Sequence, residues 1–314
     1  MKISILLPYK ENYSPSYPGA VSLFVNSVLK KSIFKNETTI YGSTKYKDKL
    51  SNNYVNIPLS KEFLKSQSKE FVNKFILEQK KEKPDIIEIH NRPSYIKLLV
   101  ELNTSLVLYF HNDPISMDGS RSPKERVFLL NTCKKIVFNS EWSKKQFLKN
   151  LQSFYHKSKK LIVIHQSINQ TNVNISKKKK IISFVGKLNS AKGYDIFCKA
   201  IIKVLNKHQD WKAVVAGDEP REVIDVKHKN LTNLGFQKHS KILDLFSKTS
   251  IAVACSRWEE PFGRTSLEAA SRGCAVIISN RGGLPETITN GIILRKLNSK
   301  NLYNSINKLI ENKK

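Results

Sequence analysis

The sequence predicts an α/β protein with two domains, each built on a parallel β-sheet that is covered by helices. Short apolar runs alternate along the chain with segments whose apolar residues recur at helical spacing, which is the pattern of parallel α/β folds. At 314 residues the chain is long for one hydrophobic core and sufficient for two. The stretch from Gln166 to Lys180 turns polar and ends in four lysines, so we predict domains at residues 1–168 and 169–314.

The predicted N-terminal domain begins with a strand over residues 2–7, which Pro8 ends. Gly19 then precedes a helix over residues 20–29, where apolar residues recur every three or four positions. The other predicted strands are 38–41, 54–57, 85–89, 105–110, 135–138 and 161–164, and the other predicted helices are 60–81, 124–133 and one that Ser140 caps.

In the predicted C-terminal domain, the runs Ile251 to Cys255 and Cys274 to Ile278 are short and apolar, as strands buried in a parallel sheet are. Between them, Pro261 suits the approach to a helix and Gly273 suits the left-handed position after its end, so a helix is predicted over residues 263–272. The remaining predicted elements are strands 181–185 and 211–216, a short strand and turn at 231–236, and helices 194–208 and 299–312.

The composition is strongly basic, with a formal net charge of +28 and far more lysine than arginine. Such a charge attracts nucleic acid, anionic lipid head groups or phosphorylated small molecules, and it does not choose among them. Abundant asparagine and isoleucine accompany the lysines, so a compositional bias accounts for the charge as well as a functional patch does. No basic run is interleaved with aromatic residues, as it is in proteins that stack single-stranded nucleic acid.

The four cysteines are scattered, with neither the spacing of a zinc site nor a disulfide framework. We therefore expect them to be reduced core residues of a cytosolic protein. No apolar run approaches the roughly 20 residues of a membrane span, so any membrane attachment would be peripheral.

Two glutamates flank the start of the predicted helix 263–272. Glu260 lies in the loop that enters the helix, and Glu268 lies about one turn inside it. Both carboxylates are thus near the crevice where open α/β sheets bind ligands, and two acids there can hold sugar hydroxyls. Acidic residues are also common in the first turns of helices because they complement the macrodipole, so the pair alone does not decide between a site and a structural role.

Two loops are candidates for binding an anion, because each leads to a helix N-terminus with free backbone N–H groups. Gly19 stands before the helix 20–29, and Lys187 and Lys192 flank the polar loop before the helix 194–208. An ordinary loop glycine, and ordinary lysines of a lysine-rich chain, account for the same residues.

Two predicted strands of the N-terminal domain end in similar polar triplets. Strand 85–89 is followed by His90-Asn-Arg92, and strand 105–110 is followed by His111-Asn-Asp113. If both strands run parallel in one sheet, both triplets emerge at its carboxyl edge, which is the functional edge of such folds.

The segment from Glu260 to Glu268 reads Glu-Pro-Phe-Gly-Arg-Thr-Ser-Leu-Glu, and Gly282-Gly-Leu-Pro-Glu286 follows it. This combination closely resembles the donor-site signature of the retaining glycosyltransferases of family 4. The resemblance covers about residues 181–295 strongly and the N-terminal half more weakly. It implies the GT-B fold, in which two Rossmann-like doubly wound domains face each other across a cleft.

The resemblance also implies roles for individual residues of the C-terminal domain. Glu268 would bind the ribose hydroxyls, and Glu260 with the backbone at Phe262 and Gly263 would hold the sugar. Lys187 and Lys192 would bind the diphosphate, with Lys187 standing where the family usually has arginine.

In the N-terminal domain, the resemblance assigns His111 to the donor sugar. Gly19 would approach the diphosphate, at a place where the family usually has two glycines and this chain has Pro18-Gly19. Arg92, Asp113 and Arg121 would face the acceptor.

The sequence therefore predicts a retaining glycosyltransferase that moves a hexose-type sugar from a nucleotide-diphosphate sugar to a hydroxyl acceptor such as a glycolipid or a surface polysaccharide. The resemblance implies no cofactor and no metal, and the chain has no Asp-X-Asp pattern of metal-dependent glycosyltransferases. The predicted location is cytoplasmic, with peripheral contact to the inner face of the membrane and no nucleic acid partner. The alternatives are a sugar-nucleotide epimerase or a phosphorylase of GT-B fold, and a non-catalytic protein that binds sugar nucleotides or nucleic acid.

Overall fold

A computed structural model describes residues 1–60, 66–168 and 171–311. It separates into two units, Met1–Gln166 and Ser167–Lys314, and each unit folds around its own parallel sheet.

The N-terminal unit alternates strands with helices along the chain. Its strands are β1 (Ile3–Leu6), β2 (Thr38–Gly42), β3 (Tyr54–Asn56), β4 (Ile86–His90), β5 (Ser105–Phe110), β6 (Lys135–Phe138) and β7 (Leu161–Val163). Its helices are α1 (Ala20–Leu29), α2 (Gln67–Glu82), α3 (Ile96–Leu99), α4 (Pro123–Thr132) and α5 (Glu141–Leu148).

Within the described residues, the N-terminal sheet has seven parallel strands in the order β3-β2-β1-β4-β5-β6-β7. The order runs outward in one direction from β1 and in the other from β4. The loops that leave these two strands therefore diverge and open a crevice at the carboxyl edge of the sheet, where doubly wound folds bind ligands.

Helices cover both faces of this sheet. Successive residues of a strand point to opposite faces, so the apolar side chains on each face need a helix to pack against. On β5, Leu108 and Phe110 pack into the cluster that contains the apolar residues of α2, α4 and α5, whereas Tyr109 packs with those of α1. Two layers of helix around one sheet give the unit a core of its own.

The C-terminal unit repeats this architecture. Its strands are β8 (Lys179–Val185), β9 (Lys212–Ala216), β10 (Leu231–Asn233), β11 (Thr249–Ala254), β12 (Ala275–Ser279) and β13 (Ile292–Leu294). Its helices are α6 (Tyr194–Lys207), α7 (His239–Lys248), α8 (Arg264–Ser271) and α9 (Ser299–Glu311).

In the part of the C-terminal unit that the structure describes, six parallel strands follow the order β10-β9-β8-β11-β12-β13. Helices α6 and α9 pack on one face, and α7 and α8 pack on the other. The order reverses between β8 and β11, so the loops after these two strands line the ligand-binding crevice of this unit.

The predicted α/β fold with two doubly wound, Rossmann-like sheets is confirmed. The cysteines are buried and free, as predicted. Helix α2 is described from Gln67 onward, and the predicted start of this helix falls on residues 61–65, which lie outside the described residues. The predicted end of α9 at Asn312 also lies outside them.

Sequence analysis missed helix α7, although Ile242, Leu245 and Phe246 are apolar and helically spaced. The omission matters for the site, since α7 supplies a histidine to it.

Candidate functional site

The crevice of the C-terminal unit brings two predicted site residues into contact. Lys192 ends the loop after β8, Glu260 lies in the loop after β11, and Lys192 Nζ is 2.5 Å from Glu260 Oε1. Their side chains are 26% and 13% exposed, so water screens the pair only in part. The ammonium also lies 4.7 Å from the ring centre of Trp258, a cation–π contact that sequence analysis had not assigned.

Lys187 begins the same loop and is exposed. Across the described ranges, no ion pair of Lys187 is found, in contrast to Lys192. The loop therefore presents one paired and one unpaired cation at the carboxyl edge of the sheet.

The glutamate motif and the later glycine motif form one packed segment. The amide of Gly283 donates to the Glu260 carbonyl at 2.7 Å, and Ser266 Oγ lies 2.8 Å from Thr287 Oγ1. Phe262 is buried, and a Cβ on Gly263, at a φ of +108°, would lie 2.3 Å from Leu284 Cδ1. The spacing of these motifs thus follows from how the loop after β11 packs on the turn after β12.

Glu268 is buried on α8 between two basic side chains. Its Oε1 accepts hydrogen bonds from His239 Nε2 of α7 at 2.9 Å and from Arg264 Nε at 2.8 Å. Burial by itself would raise the pKa of Glu268, but the bond from His239 and the charge of Arg264 outweigh it and hold the pKa below the ordinary range. The carboxylate is therefore ionised and fixed in orientation.

In the crevice of the N-terminal unit, a carboxylate of the protein itself occupies the place near Gly19 where a phosphate was predicted to bind. Glu11 Oε1 accepts from the amide of Ser22 at 2.9 Å. A Cβ on Gly19 would lie 1.9 Å from the same oxygen. Any diphosphate that reached the first amides of α1 would have to displace Glu11, a residue that sequence analysis did not identify.

His90, the last residue of β4, and His111, which follows β5, meet in the same crevice. His90 Nδ1 lies 2.8 Å from His111 Nε2, and both side chains are buried. His111 Nδ1 lies 3.1 Å from Gln166 Nε2. The predicted convergence of the two triplets at one sheet edge is confirmed by these contacts.

Each of the predicted acceptor residues bonds to its own surroundings. Arg92 Nη1 donates to the Asn91 carbonyl at 2.8 Å, and Asp113 accepts from the amide of Ile115 at 3.2 Å. Burial raises the pKa of Asp113. Arg121 is exposed, and its carbonyl accepts from the buried guanidinium of Arg126 at 2.6 Å. Their role toward an acceptor stays a prediction.

Two features are absent from residues 1–60, 66–168 and 171–311. In these ranges, no group of three or more His, Cys, Asp or Glu side chains is arranged to hold a metal ion. The same ranges contain no helix with the length and apolar character that crossing a bilayer requires.

Comparison with known proteins identifies the C-terminal unit. Residues 165–314 match the family model of glycosyl transferases group 1. The spore coat protein SA of Bacillus subtilis (strain 168) is 25% identical over 326 residues, which span 93% of this chain and 84% of that protein. The uncharacterized glycosyltransferase MJ1607 of Methanocaldococcus jannaschii is 33% identical over 132 residues, covering 38% of this chain and 33% of the relative.

Solved structures share the fold of the whole chain. The crystal structure of Anabaena Alr3699/HepE in complex with UDP and glucose superposes with a TM-score of 0.72 at 18% identity, covering 99% of this chain and 90% of that one. Two doubly wound units of this kind define the GT-B fold. With a glycosyl transferases group 1 domain in its C-terminal unit, the chain is a glycosyltransferase of the GT-B class.

Proposed function

We propose that this glycosyltransferase transfers a hexose-type sugar from a UDP-sugar to a hydroxyl acceptor with retention of the anomeric configuration, as a member of glycosyltransferase family 4. The similar Alr3699/HepE has been solved with UDP and glucose and with UDP-glucose, which supports a uridine diphosphate donor. The observation that carries the proposal is the contact between Lys192 and Glu260 in the crevice of the C-terminal unit.

This contact places a cation for the diphosphate next to a carboxylate for the sugar hydroxyls. In the proposed complex, Lys192 turns from Glu260 to the diphosphate, and Glu260 is freed to accept hydrogen bonds from the sugar. Lys187 adds a second positive charge from the exposed start of the loop. Because lysine is a point charge, each contact to the diphosphate is weaker than the bidentate contact of an arginine.

Glu268 binds the ribose in this proposal. Both hydrogen bonds found for its carboxylate among the described residues end on Oε1, so Oε2 is the oxygen we assign to the ribose hydroxyls. The backbone at Phe262 and Gly263 contacts the sugar, and His111 is kept as a further sugar contact. Gly19 remains a proposed neighbour of the diphosphate that depends on the displacement of Glu11.

The chemistry needs stabilisation of a leaving diphosphate and of an oxocarbenium-like transition state. The bond between the anomeric carbon and the phosphate oxygen breaks, and a bond from that carbon to the acceptor oxygen forms on the same face. The leaving phosphate takes the proton of the acceptor hydroxyl. No enzymatic nucleophile, cofactor or metal takes part in this proposal.

The acceptor side comprises Arg92, Asp113 and Arg121, and the proposed acceptor is a glycolipid or a surface polysaccharide. We place the protein in the cytoplasm, in peripheral contact with the membrane. The net charge of +28 supports attraction to anionic lipid.

The donor site is tested by calorimetric titration of UDP, GDP and ADP, with Lys192→Ala as the variant and Lys203→Ala as its control. Lys203 is an exposed lysine on α6, so the control removes the same charge away from the loop. A hydrogen bond to a charged group contributes about 1.5–3 kcal/mol, and Lys192 must first leave Glu260, so we expect roughly a tenfold loss of UDP affinity. Equal UDP affinities of the two variants would exclude Lys192 as a diphosphate ligand.

Product analysis then separates transfer from its alternatives. An epimerase converts UDP-sugar without an acceptor, and a phosphorylase requires inorganic phosphate. Retained anomeric configuration in an acceptor-dependent product, read by NMR, supports the proposed reaction, and an inverted product contradicts it.

A further inference from the structure

A chain of side chains runs through the crevice of the N-terminal unit and ends on His111. Glu88 and His90 lie on β4, and His90 Nε2 is 2.6 Å from Glu88 Oε1. The other nitrogen of His90, Nδ1, is 2.8 Å from His111 Nε2. The amide nitrogen of Gln166 then lies 3.1 Å from His111 Nδ1.

The donors and acceptors of this chain fit a single arrangement of protons. An amide nitrogen only donates, so His111 Nδ1 accepts from Gln166, and the proton of neutral His111 sits on Nε2. His111 Nε2–H then donates to His90 Nδ1, which leaves the proton of His90 on Nε2, beside the Glu88 carboxylate. Both hydrogen bonds therefore run toward His90, and the negative charge of Glu88, 2.6 Å from His90 Nε2 but outside hydrogen-bond geometry, attracts the remaining proton of His90.

Packing and backbone contacts hold both rings in place. Tyr109 stacks on His111 with ring centres 4.6 Å apart, and on His90 with centres 5.3 Å apart. The Asn91 side chain accepts from the backbone amide of His111 at 2.9 Å, and Asn139 donates to the His111 carbonyl at 2.9 Å. Asn91 and Asn139 already fix the backbone of His111. The contact with His90 therefore determines which ring nitrogen of His111 carries the proton, and not where the backbone lies.

We propose that Glu88 and His90 form a positioning relay that holds His111 in the tautomer with its proton on Nε2 and an acceptor at Nδ1. This inference rests on the proposed function, in which His111 contacts the donor sugar. A sugar hydroxyl that takes the place of the Gln166 amide meets an acceptor at Nδ1 and donates its hydrogen bond to it. The opposite tautomer would present a second donor, and this contact would be lost.

The tautomer is read directly from nitrogen-15 spectra of the full-length protein labelled at histidine. We expect His111 to show a protonated Nε2 and an unprotonated Nδ1 in the absence of any ligand. His90→Leu removes the acceptor, so the preference of His111 for one tautomer is lost. His90→Asn restores an acceptor at the δ position, and with it the wild-type His111 signals.

Kinetics complete the test. Loss of a positioning group costs about tenfold to hundredfold, so we expect kcat of His90→Leu to fall by that factor while UDP affinity is unchanged, because the C-terminal unit binds UDP. His90→Asn recovers most of kcat. Tyr109→Phe is the matched control: it deletes the 3.1 Å bond from this hydroxyl to the Ile164 carbonyl but keeps the ring stack, and we expect an unchanged kcat.

Three results would overturn the relay: a His111 protonated at Nδ1 in the wild type, identical spectra and kcat for His90→Leu and His90→Asn, or a loss of kcat in Tyr109→Phe equal to that in His90→Leu. Failure of the proposed function is a different result, because it removes UDP binding or sugar transfer from the wild type and leaves the nitrogen spectra as expected.

Discussion

The crevices of the two units share a topology and differ in charge. In each, the first strand of the unit leads through a loop to a helix, α1 after Gly19 and α6 after Gly193. In the N-terminal unit, the loop places the carboxylate of Glu11 on the Ser22 amide of α1. In the C-terminal unit, the corresponding loop carries Lys187 and Lys192.

A strand, loop and helix of this kind do not by themselves make a phosphate site. The partial positive charge of a helix N-terminus attracts any anion, including one supplied by the loop itself. The loop after β8 instead carries two lysines and no acidic residue, so it raises the positive potential available to a diphosphate. We therefore expect substitutions in the two loops to have different consequences.

The largest difference in stability is expected between alanine substitutions of the two glycines that precede α1 and α6. A Cβ on Gly193 would lie 1.9 Å from the backbone oxygen of Cys255, at a φ of +75° that side chains disfavour. Because a backbone carbonyl cannot move aside cheaply, we expect Gly193→Ala to lower the unfolding free energy of its unit by at least about 3 kcal/mol. Urea unfolding followed by circular dichroism measures the change, and a wild-type midpoint would show that the contact is absent in solution.

A smaller difference in stability is expected between variants of the buried carboxylate of Glu268 and of the half-buried carboxylate of Glu11, whose pKa values shift in opposite directions. The pKa of Glu268 is held low, so its stabilisation is complete above the unfolded pKa of about 4.3 and is lost as the pH falls through its native value. Burial raises the pKa of Glu11, despite the opposing hydrogen bond from the amide of Ser22. The pH-dependent part of its contribution to stability is therefore fully present below about pH 4.3 and is lost as the pH rises through its native pKa, while the hydrogen bond to the Ser22 amide remains.

Unfolding free energies of Glu268→Gln and Glu11→Gln across the acid range test this difference. Glu268→Gln should be less stable than wild type by about 2 kcal/mol at neutral pH, with the deficit shrinking in acid, and it should lose most turnover. For Glu11→Gln, the difference in unfolding free energy from wild type should change with pH in the opposite direction. If this difference changed with pH in the same direction for both variants, the two carboxylates would not lie in opposite charge environments.

The smallest effect is expected for Gly19→Ala. Its φ is −77°, which suits any residue, and the three atoms nearest to the added Cβ all belong to the end of the flexible Glu11 side chain. We expect a loss of about 1 kcal/mol as Glu11 leaves the Ser22 amide of α1. Glu11→Ala should cost about the same, and the double variant should cost no more than either, since all three remove one interaction. Additive losses in thermal unfolding would mean that Gly19 has a role apart from Glu11.

Much of the fold was predictable because its elements are locally encoded. The apolar runs that became β8, β11 and β12 are buried on both sides, and such strands read as continuous hydrophobic segments. Pro261 and Gly273 marked the ends of α8 correctly because their backbone preferences act within a few residues. Helix α7 was missed although its apolar residues are helically spaced, since it lies among polar residues without a strong start signal.

The candidate site was predictable only in part. The sequence by itself determined which residue types follow the carboxyl ends of the strands, and thus that Lys192, Glu260, His90 and His111 lie at the functional edges of their sheets. Only the tertiary structure decided which of them touch. Three contacts depend on side-chain directions that are set by packing between elements: Glu11 with the Ser22 amide, His239 with Glu268, and Glu88 with His90. Sequence spacing carries no information about contacts of that kind.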